Sequence, residues 1–146
     1  MKVIFLDFDG VLIPINATVK LDDYPKPSEE AVRNLNLVVQ VTGAMIVVTS
    51  AWRNGRSVGE LDKLLSSWGT RVTVLDKTRS IEDDRGNEIN SWLISHDVGE
   101  YVVVDDDPTD LDIFARRRVM PKPEVGISWP DTVEMVRIIS GAATYR

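Results

Sequence analysis

The sequence predicts an α/β sandwich built around a mainly parallel sheet of about five strands, with residues 1–146 forming one domain. Short apolar runs alternate with segments of helical spacing, and this alternation is typical of parallel strands joined by crossover helices. Polar side chains cluster at the carboxyl ends of several apolar runs. Because ligands of open parallel sheets bind beyond the carboxyl ends of the strands, we expect a functional site there.

The strands are predicted from runs of apolar residues. Four runs have the length of strands that are covered on both faces. They are residues 2–6, 44–50, 71–75 and 101–104, and a shorter extended piece at residues 119–120 supplies a fifth strand.

The helices are predicted from apolar residues at helical spacing between the strands. The first begins after Ser28, whose hydroxyl suits an N-cap, and ends at Gly43. The second begins after Ser57 and ends at Gly69. Further helices are predicted for residues 88–96, for residues 110–118 and from residue 131 onward.

The composition limits the class of protein. Hydrophobic residues make up 43% and charged residues 27%, so the chain should fold rather than stay disordered. It has no cysteine, which excludes a disulfide scaffold and a cysteine nucleophile. Without a signal-like start or an apolar run of membrane length, we expect a cytoplasmic protein with no membrane partner. The net charge of −6 weighs against broad binding of nucleic acid, but it allows contact with one phosphate group.

The single histidine, His96, limits the designs that need an imidazole. A Ser-His-Asp triad or a multi-histidine metal site would have to be built around this residue. His96 lies near the end of a predicted helix, where a cation suits the helix dipole, so we expect a structural role.

Two carboxylates, Asp7 and Asp9, follow the first predicted strand, and Gly10 comes next. A turn at the glycine would let both side chains point into one pocket. Two carboxylates held close together need a cation between them, or else one of them keeps its proton. The arrangement suits Mg²⁺ beside a nucleophile and an acid/base. An ordinary surface turn is the other interpretation, because Asp and Gly are common turn residues.

Two further strands end in polar residues. Thr49 and Ser50 end the second strand, and Asp105 and Asp106 follow the fourth. Such a site could hold a carboxylate nucleophile, donors for phosphoryl oxygens and a metal that neutralises charge, which are the requirements of phosphoryl transfer. Asp106 would complete the shell of the Mg²⁺ ion.

We therefore expect phosphoryl chemistry at this edge. Asp7 would attack phosphorus, and Asp9 would protonate the leaving alkoxide and later activate water. The Thr49 hydroxyl would hold the phosphoryl oxygens together with groups at Gly10 and Ser50.

A fixed cation is also needed, and the sequence offers two candidates, Arg85 and Lys77, between which the choice stays open. Trp52, Arg53 and Arg56 follow the second strand at the expected rim of the pocket. An indole and guanidinium groups there would suit a nucleotide. For Trp52, ordinary helix–sheet packing is an equally good interpretation.

These motifs resemble those of the haloacid-dehalogenase-like (HAD-like) phosphohydrolases. Residues 5–12 resemble the first motif of that family, Asp-x-Asp-Gly after a strand. Residues 47–50 resemble the second motif, and residues 103–107 resemble the fourth in its paired-acid form. Residues 85–93 and the strand after them are more similar still to the HAD-type domain of RNA-repair proteins and its stand-alone bacterial and phage relatives. The resemblance spans roughly residues 1–127.

The resemblance implies a Rossmann-like three-layer fold, dependence on Mg²⁺ and an aspartyl-phosphate intermediate. It implies that Asp7 is the nucleophile and Asp9 the acid/base. The metal ligands would be the Asp7 carboxylate, the Asp9 backbone carbonyl and Asp106. Asp105 and Asp110 would be further acids near the metal, although Asp110 could equally cap a helix.

The chain departs from the family pattern at two points. Family members usually carry a lysine in the third motif, so Arg85 would keep the charge and change its geometry. The family often inserts a cap domain, for which this chain has no room. We expect an open site, screened by a flap at residues 13–21, that accepts a nucleotide, a nucleic-acid end or another phosphomonoester.

The oligomeric state stays open. A receiver-like or catalytically silent module that binds phosphate or metal is the alternative function. Receivers lack a second acid two residues after the nucleophile, so Asp9 favours the enzyme.

Overall fold

The computed structural model describes residues 1–15 and 26–141 of the chain. The strands are β1 (Lys2–Leu6), β2 (Met45–Val48), β3 (Val74–Lys77), β4 (Glu100–Val104) and β5 (Arg118–Val119). The α-helices are α1 (Glu29–Thr42), α2 (Val58–Ser67), α3 (Arg85–Ile94) and α4 (Trp129–Ile139). Short 3₁₀ helices cover Ala51–Arg53 and Asp112–Arg117. The strands form one sheet in the order β3-β2-β1-β4-β5, and each neighbouring pair is parallel.

Strand β1 lies at the centre of the sheet and is buried on both faces. Val3 and Phe5 pack in one apolar cluster and Ile4 and Leu6 in another, all four with no exposed surface. Helices α1, α2 and α4 cover the face of Ile4 and Leu6, while α3 and the segment around Phe114 cover the other. This sheet between two helical layers confirms the predicted Rossmann-like three-layer fold.

Local signals fix the ends of the helices as the sequence predicts. The Ser28 hydroxyl accepts a hydrogen bond from the Ala31 N–H at the start of α1. Gly43 ends that helix with a left-handed backbone, at a φ of 73°. Ser57 caps α2 and forms a reciprocal capping box with Glu60.

The third strand lies further along the chain than residues 71–75, where it was predicted. Strand β3 pairs with β2 through Val74, Asp76 and Lys77, and the register shifts between the first and second of these pairs. Asp76 and Lys77 therefore belong to the sheet and not to a polar loop. The predicted position was wrong because Asp76 and Lys77 are polar, and a polar sequence does not reveal that these residues pair with β2.

Three helical segments also differ from their predicted forms. Helix α3 begins at Arg85 rather than at residue 88, because the Asp84 side chain caps it. The segment predicted as a helix at residues 110–118 is a 3₁₀ helix with non-helical backbone angles at Phe114. Helix α4 begins earlier than residue 131, directly after its N-cap Ser128.

Within the described residues, the connections at the carboxyl edge of the sheet hold no cap domain. Residues 7–28 join β1 to α1 and residues 78–84 join β3 to α3, and neither connection is long enough for a further domain. The flap predicted at residues 13–21 lies outside the described residues from residue 16 onward. Among the helices of the described ranges, none has the length and apolar character needed to cross a membrane.

Candidate active site

Three neighbouring strands bring the predicted polar residues to one edge of the sheet. The Asp7 N–H donates to the Val104 carbonyl at 3.1 Å, and the Thr49 N–H donates to the Leu6 carbonyl at 3.0 Å. These hydrogen bonds extend the parallel ladder one step beyond the strands. Asp7, Thr49 and Asp105 therefore follow adjacent strands at the same edge.

An acidic cluster consists of Asp7, Asp105 and Asp106. One carboxylate oxygen of each residue lies within 4.8 Å of those of the other two. Arg85 Nη1 lies 2.7 Å from Asp105 Oδ2 and 3.3 Å from Asp7 Oδ1. When all three acids are ionised, this single guanidinium leaves the cluster with an excess of negative charge.

Burial and mutual repulsion shift the pKa values of this cluster. Burial raises the pKa of Asp7 to about 8, Asp105 adds to the rise, and Arg85 offsets part of it. Burial also raises the pKa of Asp106, although a hydrogen bond with Asp7 acts in the opposite direction. At Arg85, burial acts to lower the pKa, but the charges of Asp105 and Asp7 outweigh it and raise the pKa. A divalent cation at the cluster would oppose both the burial and the repulsion that raise the pKa of Asp7.

The residues of the acidic cluster fit a magnesium ion. Their ligand atoms are carboxylate oxygens, the hard donors that Mg²⁺ prefers. Asp7 and Asp106, two predicted ligands, lie together, and Asp105 is part of the same cluster rather than a more distant acid. The three carboxylates outnumber the one guanidinium, Arg85, that contacts them in the described residues.

A compact turn after β1 holds Asp9 beside the acidic cluster. The Phe8 carbonyl accepts hydrogen bonds from the N–H groups of Leu12 and Ile13 at 2.9 and 3.0 Å. Gly10 has a φ of 78°, and a Cβ at this position would lie 2.4 Å from Asp106 Oδ2. Glycine is therefore needed both for the turn and for the close approach of the backbone to the carboxylate.

Asp9 and Arg85 line a cavity of about 330 Å³ together with the acidic cluster. The Asp9 side chain is exposed, and its Oδ2 accepts a hydrogen bond from Trp52 Nε1 at 3.2 Å. Asp9 thus faces the cavity and lies within reach of a group that binds at the acidic cluster.

Thr49 and Ser50 are both 1% exposed, but their hydroxyl groups differ. Ser50 Oγ accepts a hydrogen bond from the Trp52 N–H at 3.2 Å and so caps the short 3₁₀ helix. Thr49 Oγ1 has no hydrogen-bond partner within the described residues. A buried hydroxyl without a partner is costly, so a bound oxyanion is a reasonable partner for Thr49.

Arg53 does not lie at the rim, which corrects the expectation that it contacts a nucleotide. Its side chain is 5% exposed, and Nη2 lies 3.0 Å from Glu88 Oε1. Nη1 donates to the carbonyls of Thr49 and Ser50 at 2.7 and 3.0 Å, and Nε donates to the Thr78 carbonyl at 2.9 Å. The guanidinium is thus used to hold the loop after β2 and the end of β3 together.

Glu88 is the acidic partner of Arg53, and the sequence pattern does not predict this pair. Glu88 Oε2 also accepts a hydrogen bond from the Ile81 N–H at 2.9 Å, so both of its oxygens are engaged. The available signal was an acid next to Ile89, on the side of α3 that faces the core. Periodicity alone treats such an acid as surface.

The structure separates the two candidate cations, Lys77 and Arg85. Lys77 Nζ donates to the carbonyls of Arg56 and Arg53 at 2.6 and 3.3 Å. It lines a different cavity, of about 840 Å³, together with residues of α3. Arg85 alone of the two contacts the acidic cluster.

His96 has the structural role that its position predicts. Its ring stacks on Trp92 with ring centroids 3.7 Å apart, and Nδ1 lies 2.7 Å from the Trp92 carbonyl. Since a carbonyl only accepts, Nδ1 must carry the hydrogen in that contact and cannot take a proton from Ser95, whose hydroxyl is 3.1 Å away. These residues therefore do not form a catalytic triad.

Asp110 lines the cavity and does not cap a helix, which corrects one of the two interpretations. The 3₁₀ helix after it begins at its N-cap Leu111 without a side-chain cap. A Cβ at Gly86 would lie 2.1 Å from the Asp110 carbonyl oxygen. Gly86 follows Arg85 directly, so its lack of a side chain lets α3 approach the loop after β4.

A family model described as the HAD domain in Swiss Army Knife RNA repair proteins matches residues 3–132. The matched segment contains the acidic cluster, Asp9, Thr49 and Arg85. No curated protein matches the chain.

Proposed function

The chain belongs to the family of HAD domains found in Swiss Army Knife RNA repair proteins, and on this basis we propose that it is a Mg²⁺-dependent phosphomonoesterase. Membership confirms the predicted resemblance and supports a HAD-type phosphohydrolase at the level of the superfamily. The observation that carries the proposal is the acidic cluster, which one guanidinium contacts without balancing its charge and which Asp9 flanks.

The proposed metal ligands are the carboxylates of Asp7 and Asp106 and the backbone carbonyl of Asp9. Bound Mg²⁺ would neutralise charge on the phosphoryl oxygens and favour the ionised form of Asp7. Asp105 would support this arrangement from outside the ligand set. Its Oδ2 contacts Arg85 and its Oδ1 accepts a hydrogen bond from the Asp107 N–H at 3.0 Å, so both oxygens are already engaged.

In the first step, a carboxylate oxygen of Asp7 attacks the phosphorus of the bound ester. The bond between phosphorus and the ester oxygen breaks, and Asp9 in its acid form gives a proton to the leaving alkoxide. The products are the free alcohol and a phosphoryl group on Asp7. The Thr49 hydroxyl, which lacks a partner in the described residues, would donate to a phosphoryl oxygen.

In the second step, Asp9 acts as a base. Its carboxylate takes a proton from water as the water oxygen attacks phosphorus. The bond between phosphorus and Asp7 breaks, inorganic phosphate leaves, and both carboxyl groups return to their starting state. Arg85 keeps the Asp7 carboxylate in place throughout, because it contacts both Asp7 and Asp105.

The proposed substrate is a nucleotide or the phosphorylated end of a polynucleotide. The matching family, whose members are domains of RNA repair proteins, supports this choice. The cavity lies at an edge where the described connections hold no cap domain, so a large substrate could reach Asp7. We also propose that residues 1–146 act as one domain in the cytoplasm, which agrees with the lack of cysteine.

The proposal is tested by phosphate release from matched substrates in the presence of Mg²⁺. We would compare oligonucleotides phosphorylated at the 3′ or the 5′ end with mononucleotides and a phosphopeptide. Asp7→Asn and removal of divalent cations should each abolish release. Asp112→Asn is the matched control, because the Asp112 side chain is 98% exposed and removed from the acidic cluster.

Equal hydrolysis by the wild type and Asp7→Asn would overturn the proposal. Asp9→Asn distinguishes the enzyme from a receiver-like module. In the enzyme, this variant should form a phosphoprotein that persists, while the wild-type phosphoprotein should turn over rapidly. In a receiver-like module, the phosphoprotein would persist in both proteins.

A further inference from the structure

Trp52 contacts the proposed acid/base directly. Its Nε1–H donates to Asp9 Oδ2 at 3.2 Å, and Asp9 lines the cavity together with the acidic cluster. An indole N–H only donates a hydrogen bond, so it cannot pass a proton on. The contact therefore fixes one carboxylate oxygen and leaves the other, Oδ1, for proton transfer.

Aromatic and cationic neighbours hold the indole of Trp52 in place. The Trp68 ring meets it edge to face with centroids 5.5 Å apart, and the Phe8 ring lies 6.4 Å away. The Arg56 guanidinium lies over the indole, 5.3 Å from its centroid, and Nη1 donates to the Trp52 carbonyl at 2.9 Å. A half-buried ring with these neighbours has little freedom to rotate.

The backbone of Trp52 is also tied to the site. Its N–H donates to Ser50 Oγ, and Ser50 directly follows Thr49, whose buried hydroxyl has no hydrogen-bond partner within the described residues. Asp9, in contrast, lies exposed on a turn that Gly10 shapes. The indole thus connects a carboxylate on a turn to a rigid part of the loop after β2.

We infer that Trp52 is a positioning residue that orients the Asp9 carboxyl group for proton transfer, an inference that depends on the proposed function. The expectation that Trp52 stacks on a nucleotide base fits the structure less well. The Arg56 guanidinium already occupies one face of the indole, and the polar edge of the ring points to Asp9. A positioning residue should affect the rate for every substrate, whereas a stacking residue affects only those with a base.

The test is the variant Trp52→Phe, which keeps an aromatic ring and removes the N–H donor. We expect kcat to fall roughly 10- to 100-fold, as for loss of a hydrogen bond to a charged group, with KM nearly unchanged. The loss should be greater for alkyl phosphates, whose leaving groups need a proton, than for aryl phosphates. Trp129→Phe is the matched control, because it makes the same change at an exposed tryptophan of α4, which is not among the neighbours that hold Trp52 in place.

A double-mutant cycle separates positioning from a general structural effect. In the Asp9→Asn background, Trp52→Phe should change the rate of phosphoenzyme formation less than twofold, because the group that it orients is already altered. An equal loss in both backgrounds would overturn the inference. So would an increase in KM that is confined to nucleotide substrates, since that result indicates stacking.

A measurement that does not depend on activity completes the test. In ¹H–¹⁵N spectra, Asp9→Asn should shift the Trp52 indole N–H resonance and leave those of Trp92 and Trp129 in place. An unchanged Trp52 resonance would overturn the inference by itself. If the phosphatase activity needs Asp7 but is unaffected by Trp52→Phe, only the inference is overturned. If the wild type and Asp7→Asn are equally active, the proposed function is overturned as well.

Discussion

Two arginines lie near the same edge of the sheet, and each contacts a carboxylate, yet their surroundings differ. Arg53 and Glu88 are each 5% exposed and form a pair with one positive and one negative charge. Arg85 is 26% exposed and contacts Asp7 and Asp105, while Asp106 lies beside them. The first pair is balanced and enclosed, whereas the second group has more acid than base and lies at the edge of a cavity.

The hydrogen bonds of Arg53 and Arg85 also differ. Arg53 uses Nε, Nη1 and Nη2, and its partners include three backbone carbonyls and Glu88. Arg85 reaches both of its carboxylate partners through Nη1 alone. A guanidinium with every nitrogen engaged holds the fold together, whereas one that leaves the adjacent carboxylates underneutralised forms part of a binding site.

The largest expected effect comes from neutralising one acid beside each arginine. Neutralising Asp7 should affect mainly the activity, whereas neutralising Glu88 should affect mainly the stability. Asp7→Asn should lower kcat roughly 10³-fold or more, because it removes the nucleophile. Glu88→Gln should lower the free energy of unfolding by about 3 kcal/mol, because it leaves the buried Arg53 charge without its partner. Steady-state phosphatase assays and urea unfolding of both variants check the prediction. Loss of stability in Asp7→Asn with retained activity would reverse the assignment of the two groups.

Replacing Arg53 by lysine should have the next largest effect, which is a loss of stability. Lysine cannot reproduce a fork in which three nitrogens have separate partners, so Arg53→Lys should cost about 2 kcal/mol of unfolding free energy. The activity of the folded fraction should fall much less than in Asp7→Asn. Urea unfolding gives the stability, and activity per folded molecule gives the rate. A stability equal to that of the wild type would show that the bonds to the carbonyls contribute little.

Replacing Arg85 by lysine should have a smaller effect, and the affected quantity is kcat. A lysine Nζ can take the place of the single Nη1 that contacts Asp7 and Asp105, so Arg85→Lys should stay within about tenfold of the wild-type kcat. Arg85→Met removes the charge with a similar side-chain length, and it should lose much more. Kinetic assays of the two variants side by side make the comparison. Equal losses would show that the shape of the guanidinium matters more than its charge.

The sequence alone predicts the part of the fold that depends on local pattern. Buried β1 and the caps at Ser28 and Ser57 follow from an apolar run and from N-cap chemistry, and the structure confirms them. The position of β3 could not be predicted, because Asp76 and Lys77 enter the sheet through pairing with β2. Pairing of this kind depends on residues far away in the chain.

The candidate site shows the same division. Strand order places Asp7 and the acids after β4 side by side, and the sequence pattern was sufficient to expect this. The role of Arg53 and the choice between Arg85 and Lys77 as the fixed cation were not predictable in the same way, because a basic residue in a polar segment does not show which partner it contacts. Only the three-dimensional contacts show that Arg53 pairs with Glu88, a residue that follows it at long range.

The pH dependence of stability should show the raised pKa of Asp7 in the metal-free protein, and for each pH unit the change is smaller than the losses of stability expected above. The pKa of Asp7 is raised to about 8 by burial and by Asp105, so the folded state binds a proton more tightly than the unfolded state. The stability that this group contributes is present below pH 4 and is lost as the pH rises towards 8. The slope is at most about 1.4 kcal/mol per pH unit.

This loss is measured by urea unfolding in EDTA at several pH values between 5 and 8. The wild type is compared with Asp7→Asn, which has no proton to lose at that position. The difference between the two proteins should change with pH in EDTA. It should change less in Mg²⁺, because the ion binds the ionised carboxylate and replaces the proton. The difference in unfolding free energy between the two proteins could instead be independent of pH in EDTA. That result would mean that Arg85 balances the acidic cluster as completely as Glu88 balances Arg53. The contrast between the two arginines would then not identify the site.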